Sequence, residues 1–259
     1  MPQLATRIDG PLAVIGDLHG QVDQLISVLE QLRTLPDYDR RWIVFVGDFV
    51  DRGPDPKSAL DLVTDLLVEH PRTTAVAGNH DLAMAAALGW VPTLEYSNWS
   101  ERWLDHYDAE STFDSYDTDF GNMEQLAARA PAAHREFMAA LPWCVEHPRF
   151  LFVHAGLDAN VPYDVQLKIL RQRDFTLNRP QWLCSKSIVD SDGPPDCPLT
   201  IVSGHVYVPQ VRIRPRRILV DTTGGVQGEL SCLLLPEKKV ISSGAAELAA
   251  GGKSWWKLW

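Results

Sequence analysis

Five short polar strings interrupt apolar stretches of this 259-residue chain, and each holds side chains able to bind a cation or move a proton. The first, GDLHG, carries Asp17 and His19 two residues apart. In extended backbone both leave on one side, so a carboxylate and an imidazole can share an ion. The second, GDFVDRG, supplies Asp48, Asp51 and Arg52, and the third, GNHD, supplies Asn79 and His80. Two later strings, VHAG and SGHV, add His154 and His205. Taken singly, an aspartate or asparagine after a strand more often caps the next helix, and a lone histidine more often sits satisfied in a core or on a surface. The joint occurrence of these groups with four histidines reverses that reading, whereas His70, His106, His134 and His147 keep it.

The elements that must position these strings are legible from periodicity. An apolar run at 12–15 ends at Gly16, after which Val22, Leu25, Ile26, Val28, Leu29 and Leu32 recur at helical spacing. The rhythm repeats at 42–46 into a helix over 58–68, and at 73–77 into a helix over 81–88. Alternating strand and helix predict a sheet with parallel strands, whose binding sites gather where strand ends meet loops. Residues 92–147 break the rhythm with Trp99, Trp103, Tyr107 and an Ala-rich stretch, and read as a helical cap inserted into the domain. Strands resume at 150–153 and 200–203, and short runs at 211–213, 217–220, 230–235 and 240–242 predict an antiparallel second half.

The bulk numbers limit the rest. With 45% hydrophobic residues, one domain over residues 1–245 accounts for the length, followed by a tryptophan-rich tail at 246–259. The formal charge of −10 repels polyanions at long range and argues against a nucleic-acid partner. Four scattered cysteines without a CxxC pair indicate neither a zinc knuckle nor a disulfide framework, and no stretch approaches bilayer-spanning length. A cytoplasmic protein without integral membrane association is the expectation; oligomeric state leaves no signature.

The five strings, in this order from Gly16 to His205, resemble the signature of the PPP-type, calcineurin-like metallophosphoesterases, a group that includes Ser/Thr protein phosphatases and symmetrical diadenosine tetraphosphate hydrolases. Each specified position is met by chance about one time in twenty, so ordered recurrence of all five is hard to assign to accident. The resemblance implies a four-layer α/β/β/α sandwich of two mixed sheets with the helical cap. It also implies two divalent metal ions: one on Asp17, His19 and Asp48, the other on Asp48, Asn79, His154 and His205, with Asp48 bridging. Mixed oxygen and nitrogen donors suit manganese first, with iron or zinc as alternatives. A metal-bridging hydroxide would attack phosphorus. His80 would be the general acid, Asp51 its orienting carboxylate, and Arg52 a catalytic phosphate-gripping arginine. Arg52, Asn79 and a second arginine would bind substrate; of Arg171 and Arg173, the place in the segment favours Arg173.

The substrate implied first is a phosphomonoester of the Ser/Thr phosphoprotein type or a small phosphoester, with a dinucleoside polyphosphate as the alternative. A non-catalytic metal-binding scaffold is the rival of another class. Two departures bear on this choice: Asp81 stands where many protein phosphatases carry glutamate, and VHAG replaces VHGG. Arg212 and Arg214 share one strand face and read as solvated. Eight acidic side chains between 95 and 119, against Arg102 alone, would disfavour dinucleotides if they overhung the site.

Overall fold

Strand LAVI has no polar residue and is buried on both faces, as a parallel strand between helices and a second sheet must be. It is β1 (Leu12–Ile15) in a computed structural model that describes residues 3–246. There follow α1 (Val22–Arg33), β2 (Trp42–Phe45), α2 (Pro56–Glu69), β3 (Thr73–Ala75) and α3 (Asn79–Ala87), with β1–β2 and β2–β3 paired in parallel. Helix α1 buries Leu25, Val28, Leu29 and Leu32 along one stripe. Helix α2 starts where Asp55 accepts the Ser58 amide and Pro56 fills the first turn.

Between β3 and β4 lie α4 (Trp99–His106), α5 (Glu110–Ser115), α6 (Met123–Arg129) and α7 (Ala132–Ala140). The chain continues through β4 (Val145–Glu146), β5 (Phe150–Phe152), α8 (Tyr163–Gln172), α9 (Gln181–Cys184), β6 (Thr200–Ser203), β7 (Arg212–Ile213), β8 (Arg217–Leu219), β9 (Ser231–Leu235) and β10 (Lys239–Ser242). One sheet has the order β10-β9-β1-β2-β3 and the other β4-β5-β6-β8-β7.

Alternation along the strands builds the layers. Leu12, Val14, Val44 and Val46 face Phe150, Phe152, Val202 and Ile218 across the space between the sheets. Their neighbours Ala13, Ile15, Ile43 and Phe45 turn to the other side, against Leu25, Leu29, Leu60 and Val63 of the helices. Two mixed sheets flanked by helices result, the sandwich the sequence implied. The second half is not uniformly antiparallel, however: β8 runs parallel to β6, and β9 and β10 rejoin the first sheet beside β1. Hydrophobic period marks a strand but carries neither its direction nor its sheet. Among the described residues no helix is long and apolar enough to cross a membrane. Trp255, Trp256 and Trp259 lie outside the described residues.

Candidate active site

Because β1, β2 and β3 run parallel in one sheet and β5 and β6 in the other, their carboxyl ends deliver the five polar strings to one edge of the sandwich. The loops there are bent sharply. His19, Asp48, Asp51, Arg52 and His205 all adopt the left-handed region, with φ of 43°, 54°, 69°, 66° and 71°. Each such non-glycine residue costs on the order of 1 kcal/mol or more, so the surroundings must hold it. Asp48 carbonyl oxygen accepts the amides of Leu18 and His19 at 3.0 and 2.8 Å. Asp81, buried at the start of α3, accepts the amides of Asp48, Phe49 and Gly78, each at 2.8 Å. A carboxylate at position 81 therefore ties the β2 loop to the β3 loop. Gly78 has no room for a side chain, since a Cβ there would stand 2.0 Å from Asp48 Oδ1.

Asp48 is the centre of the cluster. Its Oδ2 lies 3.5 Å from His19 Nε2 and 3.2 Å from His154 Nε2. His154 Nε2 is in turn 3.1 Å from Asn79 Oδ1 and 3.2 Å from His205 Nδ1. The far ring nitrogens explain which atoms face inward: His19 Nδ1 donates to Val50 carbonyl and His154 Nδ1 to Val46 carbonyl, both at 2.8 Å. With those protons placed, each Nε2 is the ring nitrogen turned toward the carboxylate. Asp17 is buried beside them; its Oδ2 accepts the His205 amide at 2.8 Å, while its Oδ1 has no hydrogen-bond partner among the described residues. Imidazole nitrogens and amide and carboxylate oxygens crowded together, with an orphaned carboxylate oxygen alongside, make a donor set fitted to cations. Among the described residues, two groups of three have ligand atoms within 4.8 Å of one another: Asp48 with His154 and His205, and Asp48 with His19 and His80. Asp17 belongs to neither triplet.

The electrostatics point the same way. Burial alone would lower His154, but Asp48 and Asp17 raise it to about 10. Burial would likewise raise Asp48, yet the imidazoles of His154, His80 and His19 hold it well below the usual carboxylate range. Asp17 is pushed well up by burial and by Asp221. Burial takes His19 down to about 4 and His205 to about 3. The pocket draws positive charge to its middle.

His80 and Asp51 form a buried pair, Nδ1 to Oδ2 at 2.8 Å, which leaves His80 Nε2 as the ring nitrogen toward the cavity. Burial dominates both partners, lowering His80 to about 3 and raising Asp51 to about 7 against the hydrogen bonds of Thr112 and Trp103. In the free chain the pair therefore holds one proton rather than two opposed charges, so Asp51 does not by itself keep the imidazole charged. Arg52 Nη1 stands 3.3 Å from His19 Nε2.

The expected second arginine is a correction. Arg173 ends α8 with φ of 52°, and its Nη1 donates to the carbonyls of Ala139 and Leu141 at 2.8 and 3.2 Å. It thus caps the carboxyl end of α7, where unpaired carbonyls attract cations, and it is absent from the cavity. Arg171 pairs with Glu146 at 2.7 Å. Arg179 lines the cavity instead, with Arg52, Arg102 and Lys186. That cavity, about 500 Å³, also takes in His106, Tyr107, Tyr207 and Asp221 beside Asp48, Asn79, His80 and His205.

Sequence reading missed Arg179, Lys186, Asp221, Thr112 and the role of Trp103, none of which sits in a motif. His106 reaches the cavity, whereas His70, His134 and His147 bond to groups outside it. Among the described side chains, the acids Glu101, Asp105, Asp108, Glu110, Asp114, Asp117 and Asp119 do not line the cavity; Asp108 approaches Arg52, at 3.8 Å. Arg212 and Arg214 turn to Asp190 at the surface, but Arg217 is fully buried.

A family model described as calcineurin-like phosphoesterase matches residues 10–227. A symmetrical bis(5'-nucleosyl)-tetraphosphatase of Glaesserella parasuis serovar 5 is 27% identical over 171 residues, covering 65% of this chain and 53% of that protein. The chain thus spans about half the length of that curated relative. Among solved structures, one described provisionally as a diadenosine tetraphosphatase superposes with a TM-score of 0.59 at 22% identity, over 92% of this chain and 97% of the other. A serine/threonine phosphatase of Saccharomyces cerevisiae gives 0.56 at 16% identity, over 93% and 82%. At these identities the two structures show a shared fold.

Proposed function

Given that the chain belongs to the calcineurin-like phosphoesterase family, whose members depend on a dinuclear metal centre, we propose that it hydrolyses phosphoesters at the cluster around Asp48. The observation that carries this reading is the convergence of the His19 and His154 Nε2 atoms on Asp48 Oδ2 within 3.5 Å, with Asn79 Oδ1 and His205 Nδ1 within 3.2 Å of His154 Nε2. Asp17, His19 and Asp48 would hold one cation; Asp48, Asn79, His154 and His205 would hold the other. Manganese is proposed first, with iron or zinc next. When bound, such a pair polarises phosphoryl oxygens and acidifies a water for in-line attack.

The chain's own groups do the rest. Arg52 and Arg179 reach into the same cavity, where planar guanidinium groups grip phosphoryl oxygens two at a time. Asp51 keeps the His80 proton on Nδ1 and turns Nε2 to the leaving oxygen. An anionic phosphate beside Nε2 adds the negative charge that favours the imidazolium, so the acid is charged when substrate is present.

For the substrate class, the lining supports one reading: Arg52, Arg102, Arg179 and Lys186 face a cavity whose carboxylates are Asp48 and Asp221. A cationic wall favours a substrate bearing several phosphate charges, and the named relative acts on one. A symmetrical dinucleoside polyphosphate is therefore placed ahead of a Ser/Thr phosphoprotein, and the reversal follows from Arg102, the one basic residue of 95–119, lining the cavity while the described acids of that stretch do not. The test is side-by-side turnover of the Mn²⁺-replete protein on diadenosine tetraphosphate and on a phosphothreonine peptide. Higher kcat/KM on the dinucleotide is expected; a preference for the peptide would overturn the substrate class. No turnover of either, with metal bound, would favour a scaffold.

A further inference from the structure

Helices α4 and α5 reach the Asp51 carboxylate with proton donors. Asp51 is wholly buried. Its Oδ2 receives Trp103 Nε1 at 2.9 Å beside His80 Nδ1, and its Oδ1 receives Thr112 Oγ1 at 2.6 Å. The same hydroxyl oxygen accepts the Asp51 amide at 3.0 Å. We propose that Trp103 and Thr112 are positioning residues for leaving-group protonation, acting through Asp51 on His80.

The geometry supports this in three ways. A carboxylate bonded to one histidine alone can still turn about its last torsion, which rotates the acceptor lone pair off Nδ1. Donors on both oxygens remove that freedom and fix the imidazole's tautomer and tilt. The Asp51 backbone, at φ of 69°, is also held by the Thr112 hydroxyl, so one side chain sets both the turn and the carboxylate. Finally, the stretch from Trp103 to Thr112 encloses His80 from other directions: Tyr107 meets its ring edge-on at 4.8 Å, and Arg52 donates its amide to Asp108 carbonyl at 3.0 Å. Trp103 is itself locked, fully buried against Phe113 at 5.2 Å. In the step concerned, the bond from phosphorus to the leaving oxygen breaks and that oxygen takes the proton from His80 Nε2. The imidazole is left neutral with Nδ1–H still on Asp51. Esters with basic leaving oxygens need this proton most, so the cap sets how far the enzyme depends on leaving-group acidity.

The inference rests on His80 being the acid, and the experiment separates the two. Trp103→Phe keeps the aromatic packing and removes the N–H; Thr112→Val keeps the shape and removes the hydroxyl; Thr112→Ser restores it. Each full-length, Mn²⁺-replete variant is assayed on 4-nitrophenyl phosphate and phenyl phosphate, with metal content measured. Trp103→Phe and Thr112→Val are expected to lose kcat by about 10-fold on the phenyl ester and far less on the nitrophenyl ester, with KM and metal content unchanged and Thr112→Ser near wild type. His80→Asn should show the same dependence more strongly; equal loss on both esters would defeat the acid reading itself. If His80→Asn shows the dependence while Trp103→Phe and Thr112→Val track the wild type, the positioning role is overturned. Independently of turnover, the low-field Nδ1 proton of His80 in histidine-labelled protein should shift in both variants and return in Thr112→Ser. An unmoved resonance in both would also overturn the proposal.

Discussion

A carboxylate oxygen with two imidazole nitrogens within 3.5 Å draws positive charge among them, and at the scale of the single residue this governs the chemistry. His80 stands apart from that demand, since its Nδ1 is committed to Asp51. Replacing it by asparagine should cut kcat roughly 100-fold while sparing metal content, a combination that steady-state kinetics with elemental analysis would reveal. Arg179→Ala should raise KM for phosphoesters or lower kcat/KM by about 10-fold, whereas Arg173→Ala should leave both unchanged and lower the melting temperature instead. Parallel kinetics and melting curves distinguish them, and reversed effects would restore Arg173 to the site. The cluster members were legible because each sits within a few residues of a strand end, where spacing fixes direction. Arg179 was not, because it lies in the irregular stretch between α8 and α9, where no period says which way a side chain points. Arg173 looked better placed only because the sequence does not show that it ends a helix and turns back to cap another.

At the scale of elements, the site depends on loops pressed together without spare volume. Gly78→Ala would place a Cβ 2.0 Å from Asp48 Oδ1 at the junction of β3 and α3. The variant is expected to fold with its sheets intact by circular dichroism but to lose metal binding and turnover, and full activity would refute the close-packing argument. Further out, His134 of α7 joins Tyr116 of the loop after α5, 2.7 Å from Nδ1, to Asp61 of α2, 2.9 Å from Nε2. Burial lowers His134 below 6.5, with Asp61 opposing. A histidine lowered in this way takes a proton more readily when unfolded, so its contribution is full above its ordinary value near 6.5 and is lost as pH falls from there toward the folded value. His134→Gln should therefore show a smaller fall in denaturant-measured stability between about pH 7 and about pH 5.5 than wild type does. Equal slopes would contradict it. The strands themselves could be read from period and apolar runs, but not the parallel β6–β8 pairing or the return of β9 to β1, because long-range pairing leaves no mark on local spacing.

The whole molecule carries a formal charge of −10, yet gathers Arg52, Arg102, Arg179 and Lys186 around one cavity. A net charge read from composition speaks to long-range repulsion, whereas an anionic substrate inside the cavity meets the local field. Both sheets contribute to that cavity, β2 and β3 through Asp48 and Asn79, β6 through His205. The architecture thus makes a single centre out of segments far apart in sequence, with Asp48 at the crossing. The direct test is the metal stoichiometry of the full chain after Mn²⁺ repletion and desalting, set against Asp48→Asn. The wild type should retain about two ions per chain and the variant about one or fewer. Two ions held with undiminished affinity by Asp48→Asn, or none by the wild type, would contradict the account.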